Sequence, residues 1–256
     1  MCWPPTRIAF WRPRSANTVR KRMPAGKPWV SKPPAMRPLA VGPIYWHVYH
    51  ADYPPLSANP FSKARLALVD PEGGKKSPFG MFYLASDFAG ALWEVVLRYV
   101  EPDDARNVRV DIATLAGMRA VRLRLRRDGA PVLELGQPGL RMLFAADSPE
   151  SVAVASLIAE PDHHKTHTEA ARLREDLIRV GVGDMPVLAW PSRQHNPSTV
   201  YLAYAPPMAA DWWELVDEPQ PLDTPAGHAL IRAELERCGF HWVPLETNAT
   251  PPPEEP

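Results

Sequence analysis

Four residues on separate stretches of this chain have types suited to chemistry: Arg65, Tyr83, Glu94 and Ser192. A guanidinium fork matches two phosphate oxygens at once. A tyrosine ring can stack on a planar base. A carboxylate in a cleft can bond a ribose hydroxyl and stabilise positive charge at an anomeric carbon, the charge that develops as a glycosidic bond breaks. A serine hydroxyl at a turn adds one more hydrogen bond. Together the four could hold an anionic dinucleotide and cut its glycosidic bond. Each alone is ordinary. Glu94 stands four residues before Arg98, the spacing of a surface pair worth about 0.3–0.5 kcal/mol. Arg65 alone is a loop arginine, Tyr83 a core residue, and Ser192, between Pro191 and Arg193, the cap of its own turn.

The elements that must position these residues can be read from periodicity. Ile44 to His50 is aromatic and β-branched and predicts a strand. A loop follows, broken by Pro54-Pro55, Asn59-Pro60 and Gly73-Gly74, and it carries Arg65. Met81 to Ala85 predicts a short apolar strand, and Ser86 or Asp87 caps the helix after it. Ala91, Leu92, Val95, Val96 and Tyr99 recur at helical spacing as the expected buried face, which places Glu94 two turns in. Strands are expected at Val108 to Ile112, Ala120 to Arg126, Pro186 to Trp190 and Val200 to Ala205. In the second of these, Arg122, Arg124 and Arg126 alternate with apolar residues and are read as a solvated face. Helices are expected over Thr168 to Val180, with Leu173, Leu177 and Ile178 inward and Gly181 as the stop, and over about Ala226 to Cys238. Strands and helices intermix without a regular βαβ rhythm, so the expected class is α+β.

Composition narrows the function classes. The 256 residues are 45% hydrophobic, enough for a sizeable core. Formal charge is zero but uneven. Residues 1 to 40 hold nine Lys or Arg and no acid, leaving 20 basic and 29 acidic side chains, a balance of −9, in the rest. An acidic body argues against nonspecific DNA binding. Eight prolines also fall in residues 1 to 40, so residues 1–41 are read as a basic, proline-rich extension. The expected catalytic domain spans 42–245 and a disordered tail 246–256. Only Cys2 and Cys238 occur, too few for a disulfide framework or a zinc cluster. No apolar run approaches a membrane span, and prolines interrupt any signal-peptide core, so a cytoplasmic setting is expected.

Four stretches in order give the chain a family likeness: Ile44 to His50, Asn59-Pro60-Phe61 through Arg65, Phe82 to Ser86 with Ala91-Leu92-Trp93-Glu94, and Trp190-Pro191-Ser192-Arg193. With these the sequence resembles the RES domain family, named for an arginine, a glutamate and a serine. The resemblance implies an ADP-ribosyltransferase-like core of two small sheets with flanking helices around a cleft for NAD. It implies a bacterial toxin that breaks the nicotinamide–ribose bond of NAD+, with water or phosphate as acceptor. It implies a separate antitoxin with an Xre-type helix-turn-helix region, assembled with the toxin as a multimer. In that reading Glu94, Arg65 and Ser192 are the catalytic set, and Tyr83, His47 and Arg193 bind the dinucleotide. Arg65 grips phosphates or ribose, Tyr83 stacks on nicotinamide, Glu94 steadies the cation, and Ser192 bonds nicotinamide or its ribose. NAD+ is the substrate, no other cofactor is implied, and no metal is needed because nicotinamide leaves as a neutral base.

The chain departs from the family pattern in three places. His47 stands where arginine is common, Leu66 follows Arg65 where an aromatic is usual, and Glu72-Gly73-Gly74-Lys75-Lys76 lengthens the path to Tyr83. Other chemistries fit less well. His163 and His167 lie one helical turn apart, a spacing that can grip zinc, but there is no HExxH and no third ligand segment. Ser192 near His195 lacks the G-x-S-x-G elbow of a serine hydrolase. A protein ADP-ribosyltransferase commonly has a second carboxylate two residues before the catalytic one, and here that position is Leu92. A degenerate domain that only binds is the remaining alternative.

Overall fold

The computed structural model describes residues 28–70, 76–127 and 129–245. Most of the basic extension, the inserted Glu72 to Lys75 and the 246–256 tail lie outside the described residues. In chain order the elements are β1 (Arg37–Pro38), β2 (Ile44–His50), β3 (Gly80–Ala85), α1 (Phe88–Val95), β4 (Asn107–Asp111), β5 (Met118–Leu125), β6 (Pro131–Glu134), α2 (Leu140–Leu143), α3 (Pro149–Ala159), α4 (His164–Arg179), β7 (Val187–Pro191), β8 (Thr199–Ala205), β9 (Trp213–Leu215), β10 (Gln220–Pro221), α5 (Pro225–Arg237) and β11 (His241–Leu245). The class is α+β.

Two sheets form, of unequal size. Nine strands run in the order β1-β6-β7-β8-β3-β2-β5-β10, with β9 also on β5, while β4 and β11 make a parallel pair of their own. The larger sheet is antiparallel except between β6 and β7. Its weak seam lies between β2 and β3, where Trp46↔Ala85 is the single registered pair. β2 then peels away, and the exposed edge of β3 is closed by other groups. His47 Nδ1 bonds the Tyr83 carbonyl at 2.7 Å, and Asn59 exchanges both backbone hydrogen bonds with Met81. The seam divides the large sheet into two smaller halves with a cleft along the split.

Strand alternation builds the cores. Tyr45, Phe82, Leu123, Val132 and Tyr201 cluster on one face of the curled sheet. On the opposite face α3 and α4 cover the β6–β8 half, and α1 and α5 cover the β2–β5 half. The folded body starts earlier than the expected boundary at Gly42. Trp29 and Leu39 are each 1% exposed, and β1 pairs with β6. A tryptophan among basic residues and prolines gives no periodic signal, so its burial was invisible to pattern reading. Arg122, Arg124 and Arg126 pair with Asp217 and Glu214 rather than standing free in solvent. Ile178, expected inward, is exposed, while Leu173 and Leu177 are buried.

Candidate functional site

α1 begins at Asp87, whose side chain accepts from the Gly90 N–H at 2.8 Å, a cap worth about 1 kcal/mol. Gly90 lets the helix approach closely: a Cβ there would sit 2.5 Å from Ser198 Cβ. The helix ends at Val95, so only part of the expected buried face is buried. Ala91 and Leu92 lie inside, while Val95 and Tyr99 are exposed at the cleft mouth. Glu94 therefore occupies the last turn, where the helix dipole disfavours a carboxylate.

What offsets that is a set of donors from the turn after β7. Glu94 Oε1 accepts from Ser192 Oγ at 2.6 Å, from the Arg193 N–H at 3.0 Å and from the Gln194 N–H at 3.4 Å. The direction of the serine bond is fixed. Ser192 Oγ also takes the N–H of His195 at 2.9 Å and of Gln194 at 3.2 Å, so its own proton goes to Glu94. Glu94 Oε2 carries an ion pair to Arg98 Nη2 at 3.6 Å and no hydrogen bond among the described residues. One oxygen is thus locked and the other faces a cation.

Arg65 reaches the same cleft from the loop between β2 and β3. The backbone at Arg65 and Leu66 is pinned by three side chains: Tyr83 donates to the Arg65 carbonyl, Tyr204 donates to the Leu66 carbonyl, and Thr166 accepts from the Leu66 N–H, each at 2.8 Å. Leu66 is held at φ +59°, a left-handed backbone that costs a non-glycine residue about 1–2 kcal/mol. The Arg65 side chain is buried. Nη1 donates to the Leu157 carbonyl at 2.9 Å, but Nη2 is buried without a partner among the described residues. Burial pulls its pKa down to about 10, with Glu94 opposing the shift and Arg98 and Arg193 adding to it. A buried, half-satisfied cation in a cleft wall suits an anionic ligand.

Arg98 is the residue that the sequence undersold. It lines the cleft, pairs with Glu94 and donates to His163 Nε2 at 2.8 Å. Its signal was present in the i,i+4 spacing, which puts it on the same helix face as Glu94. Burial, then the charges of Arg98 and Arg65, lower the His163 pKa to about 4, which keeps the ring neutral as an acceptor. His167 turns elsewhere, with Nε2 between the Lys63 and Ala64 carbonyls at 3.1 and 3.2 Å. The two histidines brace the Arg98 and Arg65 segments rather than facing one point. Among the described residues, no three His, Cys, Asp or Glu side chains are grouped to hold a metal.

The cleft measures about 420 Å³, within the usual range of small-molecule sites, and is lined by His47, Arg65, Tyr83, Glu94 and Arg98 among others. Three expectations change. The Ser192 hydroxyl, expected at nicotinamide or its ribose, is buried and donates to Glu94. The Arg193 guanidinium is exposed and outside the cleft lining, and its backbone N–H is the group that reaches Glu94. His47 lines the cleft, but its Nδ1 is committed to stitching the sheet seam. Its pKa is lowered to about 4 by burial, so the ring is neutral and Nδ1–H is the donor to the carbonyl.

The family model of the RES domain matches residues 44–223. A search of curated proteins returned no match. Among solved structures, a chain of the M. tuberculosis MbcT–MbcA toxin–antitoxin complex is similar at 16% identity and a TM-score of 0.46, over 78% of this chain and 91% of that one. No helix among the described residues is long and apolar enough to cross a membrane.

Proposed function

We propose, from the premise that the chain belongs to the RES domain family, that its cleft binds NAD+ and cleaves the nicotinamide–ribose bond. The observation that carries this reading is the divided carboxylate of Glu94, with Oε1 fixed by Ser192 and Oε2 facing Arg98 beside the buried, half-satisfied Arg65. The bond between the anomeric carbon and the nicotinamide nitrogen breaks, and its electron pair leaves with neutral nicotinamide. Glu94 stabilises the oxocarbenium-like charge left behind. An oxygen of water or of phosphate then bonds the anomeric carbon; water gives its proton to the solvent, and an ionised phosphate oxygen has none to lose. The positive charge of Arg65 and Arg98 offsets the dinucleotide's phosphates, and Tyr83 offers a ring to the base. NAD+ is consumed as substrate and the machinery asks for no other cofactor.

The biological role that goes with this chemistry is the toxin of a toxin–antitoxin pair, neutralised by an Xre-type antitoxin in a multimeric complex in the bacterial cytoplasm. A protein ADP-ribosyltransferase is the second reading, and Leu92 speaks against it. That position, two residues before Glu94, is apolar and fully buried. NAD+ labelled in its adenylate half and incubated with cell lysate separates the two. Label in free ADP-ribose or its phosphate supports cleavage, and label on protein supports transfer.

A further inference from the structure

The family match stops at residue 223, and α5 begins at Pro225. This helix nonetheless reaches both halves of the site. Glu234 Oε1 accepts from Trp93 Nε1 at 2.9 Å, next to Glu94 on α1. Arg237 Nη2 lies 3.0 Å from His195 Nε2, in the turn that delivers Ser192. The two α5 side chains pair fork to fork, at 2.9 Å between Nε and Oε2 and 2.7 Å between Nη2 and Oε1. Glu234 is only 7% exposed, so its charge is held by these donors.

The path continues inward. His195 Nδ1 lies 2.7 Å from Ser198 Oγ, which in turn is 2.6 Å from Asp87 Oδ1. The protons along it follow from donor chemistry. The Asp87 carboxylate only accepts, so the single Ser198 proton goes there. His195 Nδ1 must then donate to Ser198, which leaves Nε2 as a lone pair facing a guanidinium that only donates. Asp87 is the cap of α1. The chain of contacts therefore closes into a ring, from the start of α1 through the turn to α5 and back to the end of α1. Glu94 and Ser192 are tied to that ring: Glu94 follows Trp93 in α1, and Ser192 Oγ accepts from the His195 N–H. Arg237, Glu234 and His195 do not line the cleft.

We propose that Arg237 is a positioning residue for Glu94, acting through His195 and the Ser192 turn. This rests on the reading of Glu94 as the stabilising carboxylate. Misplacing a catalytic group by about 1 Å can cost about 10²-fold in rate. An interaction felt only in the transition state lowers kcat and leaves KM alone.

The test uses the full chain and NAD+. Arg237→Ala is expected to lower kcat about 10- to 100-fold with KM within about twofold. His195→Ala should do the same, and the double variant should be no slower than the worse single, because both lie on one path. Arg237→Lys, which keeps a donor, should recover part of the loss. Arg232→Ala, on the same helix but over the Trp242 ring at 5.6 Å, should match wild type. Hydrogen exchange at the amides of residues 193–196 and 198 should speed up in Arg237→Ala. An unchanged kcat, a rise in KM alone, or fully additive losses would overturn the proposal. If Arg237→Ala does not fold, His195→Gln decides on the same readings. If wild type leaves NAD+ intact, the reading of Glu94 has failed. The exchange data still judge the clamp, since unchanged protection of 193–196 and 198 refutes it.

Discussion

The hydroxyl of Ser192 donates to Glu94 Oε1 across 2.6 Å, joining two residues 98 positions apart. The serine is buried and its oxygen also receives two backbone amides, so among the described residues its proton is committed to the glutamate. Ser192→Ala should therefore lower kcat about tenfold and leave KM nearly unchanged. It should also lower Tm, because stranded buried amides cost about 1–3 kcal/mol. Steady-state kinetics with NAD+ and a thermal melt check both. A large rise in KM would return the hydroxyl to the substrate.

Glu94→Gln keeps the shape and removes the charge. The expected loss is about 10²–10³ in kcat, the scale for one electrostatic stabiliser. Leu92 is fully buried on the same helix, so α1 should stay packed and circular dichroism should be unchanged.

Arg65 is expected to trade stability for binding. Its guanidinium is buried, Nη2 lacks a partner among the described residues, and burial holds its pKa at about 10. A buried ion carries a desolvation penalty of several kcal/mol, and little offsets it at Arg65 among the described residues. Arg65→Met should thus melt at the same or a higher temperature while its KM for NAD+ rises tenfold or more. A collapse in Tm would mean that the Leu157 carbonyl bond outweighs the burial cost.

Acid should destabilise the fold through histidines held neutral. His47 and His163 both fall from an ordinary 6.5 to about 4, chiefly through burial. Between about pH 6.5 and 4 the unfolded chain then binds more protons than the folded one, so stability falls as pH falls through that window. It is fully present above about 6.5 and that contribution is lost by about 4. Urea titrations at pH 7 and pH 5 should show the drop, and His47→Gln should reduce it. An equal slope in that variant would assign the effect to other groups.

Local elements were legible because local patterns fix them. Strand Ile44–His50 has the predicted bounds, and the α1 cap resolves to Asp87, one of the two residues expected. α4 and α5 begin four residues and one residue ahead of the expected starts, at His164 and Pro225. α3 carried no clear apolar stripe, and no expectation was made for it. The site was legible only in part. Glu94 and Ser192 could be paired through family likeness, whereas the Leu157 carbonyl under Arg65 and the His163 acceptor under Arg98 depend on long-range packing. His47 shows the limit of residue type. A strand histidine near a ligand cleft reads as a binding group, but the parting of β2 from β3 gives it a carbonyl to bond.

The most direct measurement is to incubate the purified chain with NAD+ and identify the products by mass, beside Glu94→Gln. The account predicts free nicotinamide with ADP-ribose or its phosphate from wild type, and a loss of at least about a hundredfold in the variant. Intact NAD+ with wild type, or equal product from both proteins, would contradict it.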